Sequence, residues 1–475
     1  MPHVLAFDLG GSSLRLALVD ADGRFDGFVR LPLEIRHDGD RRFEADPLAW
    51  WNAVIEGCEA LAGEGHDLAT VEAIAGCGFT RTQVFLDGAG TVIRPAIAFQ
   101  DSRAAEILED AHGLPETLGP FDPLARLLWL RECEPENWRR LRKVVEPKDF
   151  LNYRLTGRAV SDRISQTPMT RSLAADRAGV LAALGLDPNV LPEAISPFEP
   201  VGTVLPSLPA PLSKLAGKPV FCGSIDTWAC VLGSGGLTPG VAYSISGTSD
   251  VSGVISTRPY SAEGLLSIEW GPDLWQLGGP SQGAATRLEW ALRRFSPGVE
   301  PEAALAAAVA GDRPAPLFLP YLDGERTPWW DPDLQGAFLG LNAEHETGDF
   351  LRGVAEGINY LSREILARAE AATGTGVSHV CFSGGLASSP TLCQLKADIL
   401  DRPVHVAANR ETGLVGAARI PRRLREETAD LGDGGALYQP DPARRRYHDE
   451  RFEMFRIASD ALAPISHRLR KPGGE

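Results

Sequence analysis

Two stretches, about half a chain apart, are built alike. In the first, apolar runs at residues 4–7 and 14–19 flank the segment Asp8-Leu9-Gly10-Gly11-Ser12-Ser13. In the second, residues 241–255 (VAYSISGTSDVSGVI), the turn Gly247-Thr248-Ser249 separates two runs rich in Val, Ile and Tyr. Each pattern specifies a β-hairpin with a polar, glycine-bearing tip. One such hairpin is ordinary; its recurrence implies a duplicated unit. A chain of 475 residues is also too long for one compact core and fits two domains of roughly 200 residues or more. The expected domains are residues 1–237 and 238–475, joined by GSGGLTPG at 233–240.

Between the hairpins, helical patterns at 47–61 and 124–131 alternate with short apolar strands at 71–75 and 219–223, which is α/β organisation. The second half repeats the mixture: a helix over 349–371, a strand at 379–382, the glycine turn Gly384-Gly385 and a helix over 391–400. Residues 187–219 are proline-rich and read as irregular. The tail, 440–475, reads as a polar helix lying on the surface.

Phosphate chemistry is the class the hairpins suggest, and it has to work without the common devices. No GxxxxGK followed by Ser or Thr is present, nor a GxGxxG after a strand. At the first tip, Gly10 and Gly11 let backbone amides approach phosphate oxygens, Ser12 and Ser13 offer hydroxyls, Arg15 supplies positive charge, and Asp8 suits Mg²⁺ through water. An ordinary glycine turn explains Asp8 as well when it is taken alone. The pairing with Gly247-Thr248-Ser249 favours phosphate binding, two tips across a cleft being able to clasp the β and γ phosphates. Asp226 follows a strand and precedes a helix, where α/β proteins place catalytic groups and where a helix N-cap would also sit.

Charge and composition exclude other classes. A net charge of −16 opposes capture of a nucleic-acid backbone, and any nucleotide must be held by local donors. No apolar run approaches the roughly 18 residues of a membrane span. The start, MPHVLAFDLGG, lacks a signal peptide's basic region and cleavage site, so a cytoplasmic location is expected. Seven scattered cysteines without a CxxC pair read as reduced core thiols, and nine histidines without HExxH give no metal signature.

With these residues in hand, the chain resembles the FGGY family of carbohydrate kinases over nearly its whole length. DLGGSSLR (8–15) is similar to the family's opening phosphate motif, and EADPLAWW (44–51) and VEPKDFLNYRLTG (145–157) to internal blocks. GSIDTWA (223–229) resembles the block that holds the catalytic aspartate, SISGTSDV (244–251) the second phosphate motif, and LPYLDGERTPWWDPDLQGAFLGL (319–341) a block highly specific to the family. FSGGLASSPTLCQLKADIL (382–400) with ETGLVGAA (411–418) resembles the adenosine region.

The resemblance implies two duplicated ribonuclease-H-like, actin-like ATPase domains with a cleft that closes on the substrates. It implies transfer of the γ-phosphoryl of MgATP to a small sugar or polyol, with Asp226 as base and Gly247, Thr248, Gly384, Gly385 and Ser389 at the nucleotide. Arg81, Phe99, Asp101 and Phe121 are the expected sugar pocket. The segment Gly78-Phe79-Thr80-Arg81 departs from both the Gln-Met-His typical of xylulose kinases and the Arg-Glu of glycerol kinases. The other blocks lean toward the xylulose kinase branch and a ketopentose. Glycerol, erythritol or another acceptor is the alternative, Arg81 leaves room for an acidic one, and a sensor without turnover is the reading from another class. Asp250, where a small residue often follows the Gly-Thr-Ser, is a further departure. The resemblance adds a homodimer, for which the sequence shows no interface signal.

Overall fold

The computed structural model describes residues 3–39, 41–108, 118–171, 181–182, 187–247, 249–422 and 434–470. Thr248 lies outside the described residues. The chain divides into two compact units, Met1–Gly233 with Gly413–Leu424, and Ser234–Thr412 with Arg425–Glu475.

The first unit is built on strands β1 (His3–Leu9), β2 (Ser13–Val19), β3 (Phe25–Pro32), β4 (Val71–Gly78), β5 (Pro200–Thr203), β6 (Pro219–Phe221) and β7 (Ser224–Ile225). They lie in the order β5-β6-β4-β1-β2-β3, with β7 also on β4. The hairpin β1–β2 and its neighbour β3 are antiparallel, β4 runs parallel to β1, and β6 and β7 run parallel to β4. Strand β1 is buried at nearly every position, which is why it reads as an unbroken apolar run up to Asp8. Helix α1 (Pro47–Gly63) packs on β2 and β3; Asp46 caps it by accepting from the Leu48 amide at 2.9 Å, and Trp50, Trp51, Val54, Cys58 and Leu61 face the core. Loss of such a cap costs about 1 kcal/mol, whereas each large side chain of that stripe contributes about 2–3 kcal/mol, so burial decides where α1 lies.

Residues 187–219 are less irregular than expected. Pro200–Thr203 pairs antiparallel with β6 as the sheet edge, where a proline's missing N–H interrupts no ladder. Helices α2 (Pro123–Cys133), α3 (Pro147–Thr156) and α4 (Asp226–Gly233) complete the elements that bear on the site.

The second unit repeats the topology with β8 (Ala242–Ser246), β9 (Asp250–Ser256), β10 (Leu266–Gly271), β11 (Leu274–Pro280), β12 (Val380–Ser383), β13 (Val404–Val406) and β14 (Ala436–Tyr438), ordered β10-β11-β9-β8-β12-β13-β14. Again a hairpin carries a third antiparallel strand on one side and two parallel strands, then an antiparallel edge, on the other. Helices α5 (Ala285–Phe295), α6 (Thr347–Thr373) and α7 (Pro390–Leu400) follow, while the next helix, α8 (Thr412–Arg419), falls almost wholly within the first unit. The tail forms α9 (Pro442–Arg470), which is more than a surface helix: Phe455 is fully buried, and Ser459 meets the buried Tyr321 hydroxyl at 2.7 Å.

Candidate active site

Strand register assembles the first half of the site. Asp8 lies opposite Cys77 of β4, and Ser224 of β7 lies opposite the same Cys77 from the other side. Ile225 then stands beside Gly78, so Asp8 and Asp226 come to the same carboxyl end of the sheet, on the two strands that flank β4. Asp226 opens α4, its Oδ1 accepting from the Thr227 amide at 2.6 Å and hydroxyl at 3.2 Å. Burial first, and the nearby Asp8 carboxylate second, push the Asp226 carboxyl up to about 6.

This placement depends on one glycine. Gly223 has φ +66°, and a Cβ there would fall 1.8 Å from the Gly76 carbonyl oxygen. Gly223→Ala is therefore expected to pull β7 from β4 and cost about 2–4 kcal/mol, read as a lowered denaturant midpoint.

Asp8 is buried and pairs with Arg15 of β2 at 2.7 Å, its cross-strand neighbour in the hairpin register. The tip is closed by the Gly10 amide donating to the Ser13 carbonyl at 2.9 Å. Ser12 is exposed, Gly10 and Gly11 are half-buried, and Ser13 is buried. The tip therefore offers backbone and hydroxyl donors at Gly11 and Ser12, with Gly10 holding the turn closed and a guanidinium behind them.

Behind Asp226 lies a network that sequence reasoning missed. Lys148 of α3 contacts both Asp149 and Asp162, the latter at 2.9 Å; Asp162 accepts from the Ser224 hydroxyl at 2.8 Å. Asn152 of α3 donates to the Cys222 carbonyl at 2.9 Å. The block at 145–157 thus holds the strand end from which Asp226 projects. Among the described residues, Asp149, Asp162 and Cys222 are close enough to hold a metal, and the Lys148 ammonium occupies that role. Lys148 and Asn152 of the block gave the sequence signal; Asp162 gave none.

The expected sugar residues are gathered by another residue the sequence did not single out. Arg126 of α2, fully buried, donates to the carbonyls of Arg81 (2.6 Å), Phe99 (3.0 Å), Asp101 (3.1 Å) and Phe121 (3.2 Å). Phe99 and Phe121 are 42% and 55% exposed, unusual for phenylalanine and suited to stacking on a sugar's CH face. Phe99 rests edge-on against Phe79. Arg81 is exposed, with a left-handed φ of 59°.

Asp101 corrects the expectation. Its carboxylate is fully buried and accepts from the Phe43 amide at 2.6 Å, the Arg103 amide at 3.0 Å and the Arg103 guanidinium at 2.8 Å. It ties the loop together and presents no oxygen to a ligand.

In the second unit, the Gly247 amide donates to the Ser249 carbonyl at 2.8 Å and the Gly247 carbonyl accepts from Ala285 of α5 at 3.1 Å. The next strap is held by the block at 319–341. Ser281 bonds the Asp250 backbone on both sides, its own carbonyl accepts from Arg326, and the Gln282 amide donates to Glu325 at 2.5 Å. Parallel pairing of β8 with β12 brings Gly384 beside Ser246. Gly384 has φ +89°, and a Cβ would fall 2.5 Å from the Ser246 carbonyl oxygen, while one at Gly385 would meet nothing. So Gly247, Gly384 and Gly385 stand at one end of this sheet. Ser389 is half-buried, and its hydroxyl caps α7, accepting from Leu392 at 3.1 Å, and hydrogen-bonds Glu302.

Among the described residues no helix is long and apolar enough to cross a membrane. Comparison with known proteins agrees with this architecture. Residues 3–233 match the N-terminal domain and residues 242–420 the C-terminal domain of the FGGY family of carbohydrate kinases. The chain is 29% identical to the xylulose kinase of Escherichia coli (strain K12), over 97% of this chain and 99% of that protein. It is 32% identical to the xylulose kinase of Streptomyces rubiginosus, over 76% and 75%. The ligand-bound xylulose kinase of Lactobacillus acidophilus superposes with a TM-score of 0.85 at 22% identity, over 99% and 100%. Both halves of the chain, each carrying its own glycine-tipped hairpin, thus fall under a single family, and the chain belongs to the FGGY carbohydrate kinases.

Proposed function

We propose that the chain transfers the γ-phosphoryl of ATP to a hydroxyl of a ketopentose, D-xylulose first, with Asp226 as general base. The observation that carries this reading is the register that brings Asp8 and Asp226 to the same end of β4 from its two sides, with the Asp8 carboxylate close enough to help push the Asp226 carboxyl up to about 6. Such a group is ionised at neutral pH and still basic enough to accept the proton of an attacking hydroxyl. The xylulose kinases among its relatives favour a pentulose acceptor.

The donor set fits ATP with Mg²⁺. Gly11, Ser12 and Arg15 would bind phosphate oxygens on the turn that Gly10 closes, Gly247, Gly384 and Gly385 would line the nucleotide site, and Asp8 would hold the cation through water. Magnesium, when bound, neutralises charge on the phosphates. Phe99 and Phe121 orient the sugar by its CH faces, and Arg81 sets which polar group enters beside them. The reading includes a cytoplasmic place of action.

The test is ADP release from MgATP across ketopentoses, glycerol, tetritols and acidic sugars. A response to D-xylulose well above the rest is expected. A response to glycerol or an acidic sugar alone would transfer the specificity to that acceptor, and ATP binding with no response to any would favour a sensor.

A further inference from the structure

Asp250 departs from the small residue expected after Gly247-Thr248-Ser249, and the structure gives the departure a partner. Its carboxylate is 2% exposed and accepts from four serine hydroxyls: Ser244 (2.8 Å) and Ser246 on Oδ1, Ser252 and Ser362 (3.1 Å) on Oδ2. Two of the four also accept from a buried ammonium. Lys396 of α7 donates to Ser244 at 3.1 Å and Ser362 at 3.3 Å, and its Nζ lies 4.8 Å from the centroid of Phe382. Burial pushes the Asp250 carboxyl up, but the Lys396 ammonium and the hydroxyls outweigh it and hold it below its ordinary range.

Such a pair is a costly way to fill a core, since apolar residues of the same volume are commonly no less stabilising. What it adds is directional geometry. Asp250 begins β9, immediately after the turn that starts at Gly247. Lys396 is on the helix that follows Gly384 and Gly385, and Ser362 is on α6. The bridge therefore runs from the phosphate hairpin to the helix behind the second glycine turn, across β8.

We propose that Asp250 and Lys396 are positioning residues for the nucleotide: their serine-bridged pair fixes the spacing between the Gly247 turn and the Gly384-Gly385 turn, so that phosphate and adenosine are gripped together. The inference rests on the nucleotide reading of these turns. It gives a role to a charged, serine-bridged link at the position where the family resemblance leads one to expect a small residue.

The test compares the affinities of ADP and adenosine, measured by calorimetry well below the unfolding temperature, for wild type, Asp250→Asn, Lys396→Met and the double variant. Each single variant is expected to weaken ADP about 10-fold or more, with adenosine changed less than about 2-fold. The double variant should lose little beyond either single change, because both act through one link. Ser362→Ala, which removes one bridge without burying an unpaired charge, should shift the ratio in the same direction by less and serves if a charge variant fails to fold. A core role alone would move the unfolding temperature and leave the ADP-to-adenosine ratio unchanged; that result overturns the inference. A wild type that binds no ADP would instead remove the nucleotide reading, and the inference with it.

Discussion

Asp226→Asn is expected to lower kcat by about 10²–10⁴-fold, the range a positioned general base contributes, while leaving ATP binding nearly intact. The amide keeps the shape of the carboxylate and can still accept from Thr227, so the pocket stays filled and only the base is lost. In the wild type, kcat should rise with pH through about 6 and level off above it, as the carboxyl ionises. The stability effect runs the other way. The folded-state pKa is raised above the ordinary value of 3.8, so the native state binds the extra proton between those values and stability falls as pH rises through that window. The asparagine variant escapes this loss and should be more stable than wild type by about 1–2 kcal/mol at pH 8, with the gain gone by pH 4. Urea unfolding at the two pH values, with turnover measured alongside, checks both halves. A variant with normal turnover would remove Asp226 from the mechanism.

Arg126→Met should raise the sugar KM about 10-fold or more while the ATP KM changes little. The guanidinium is the common partner of the carbonyls at Arg81, Phe99, Asp101 and Phe121, and methionine leaves all four without it. Losing a buried cation's bonds in this way also costs about 3–5 kcal/mol of stability. Arg126→Lys should recover part of the stability and less of the sugar affinity, because one ammonium cannot span the four acceptors. If sugar and ATP KM values rise together, Arg126 acts only as a core strut. The separation of the two KM values is what identifies a positioning role.

The legible part of the site was the part built from local sequence. Asp8, Gly10, Gly11, Ser12 and Arg15 occur within one hairpin, and turn chemistry alone predicts their proximity. Asp226 was singled out from a strand followed by a helix, and the structure places it at the start of α4. Asp101 and Ser389 share one difficulty: a polar residue in a motif reads as a ligand contact until its hydrogen bonds are known. In the fold, Asp101 is spent on Phe43 and Arg103, and Ser389 on the first turn of α7. Arg126 and Asp162 were missed because nothing in their neighbourhoods sets an arginine holding four carbonyls, or an aspartate holding a serine and a lysine, apart from any other buried charge.

By itself, the sequence determined the duplication, the two glycine-tipped hairpins, the α/β class and the main helices, because periodicity and turn chemistry are encoded over a few residues. Only the tertiary structure decided the rest. Strand register set Asp8 and Asp226 at one end of β4, Arg126 drew the carbonyls of three loop segments onto one guanidinium, and Gly413–Leu424 joined the first unit although it is flanked on both sides by the second. The link from Asp250 through two serines to Lys396 belongs with these. Each depends on contacts between residues tens to hundreds of positions apart, and no local propensity carries that information.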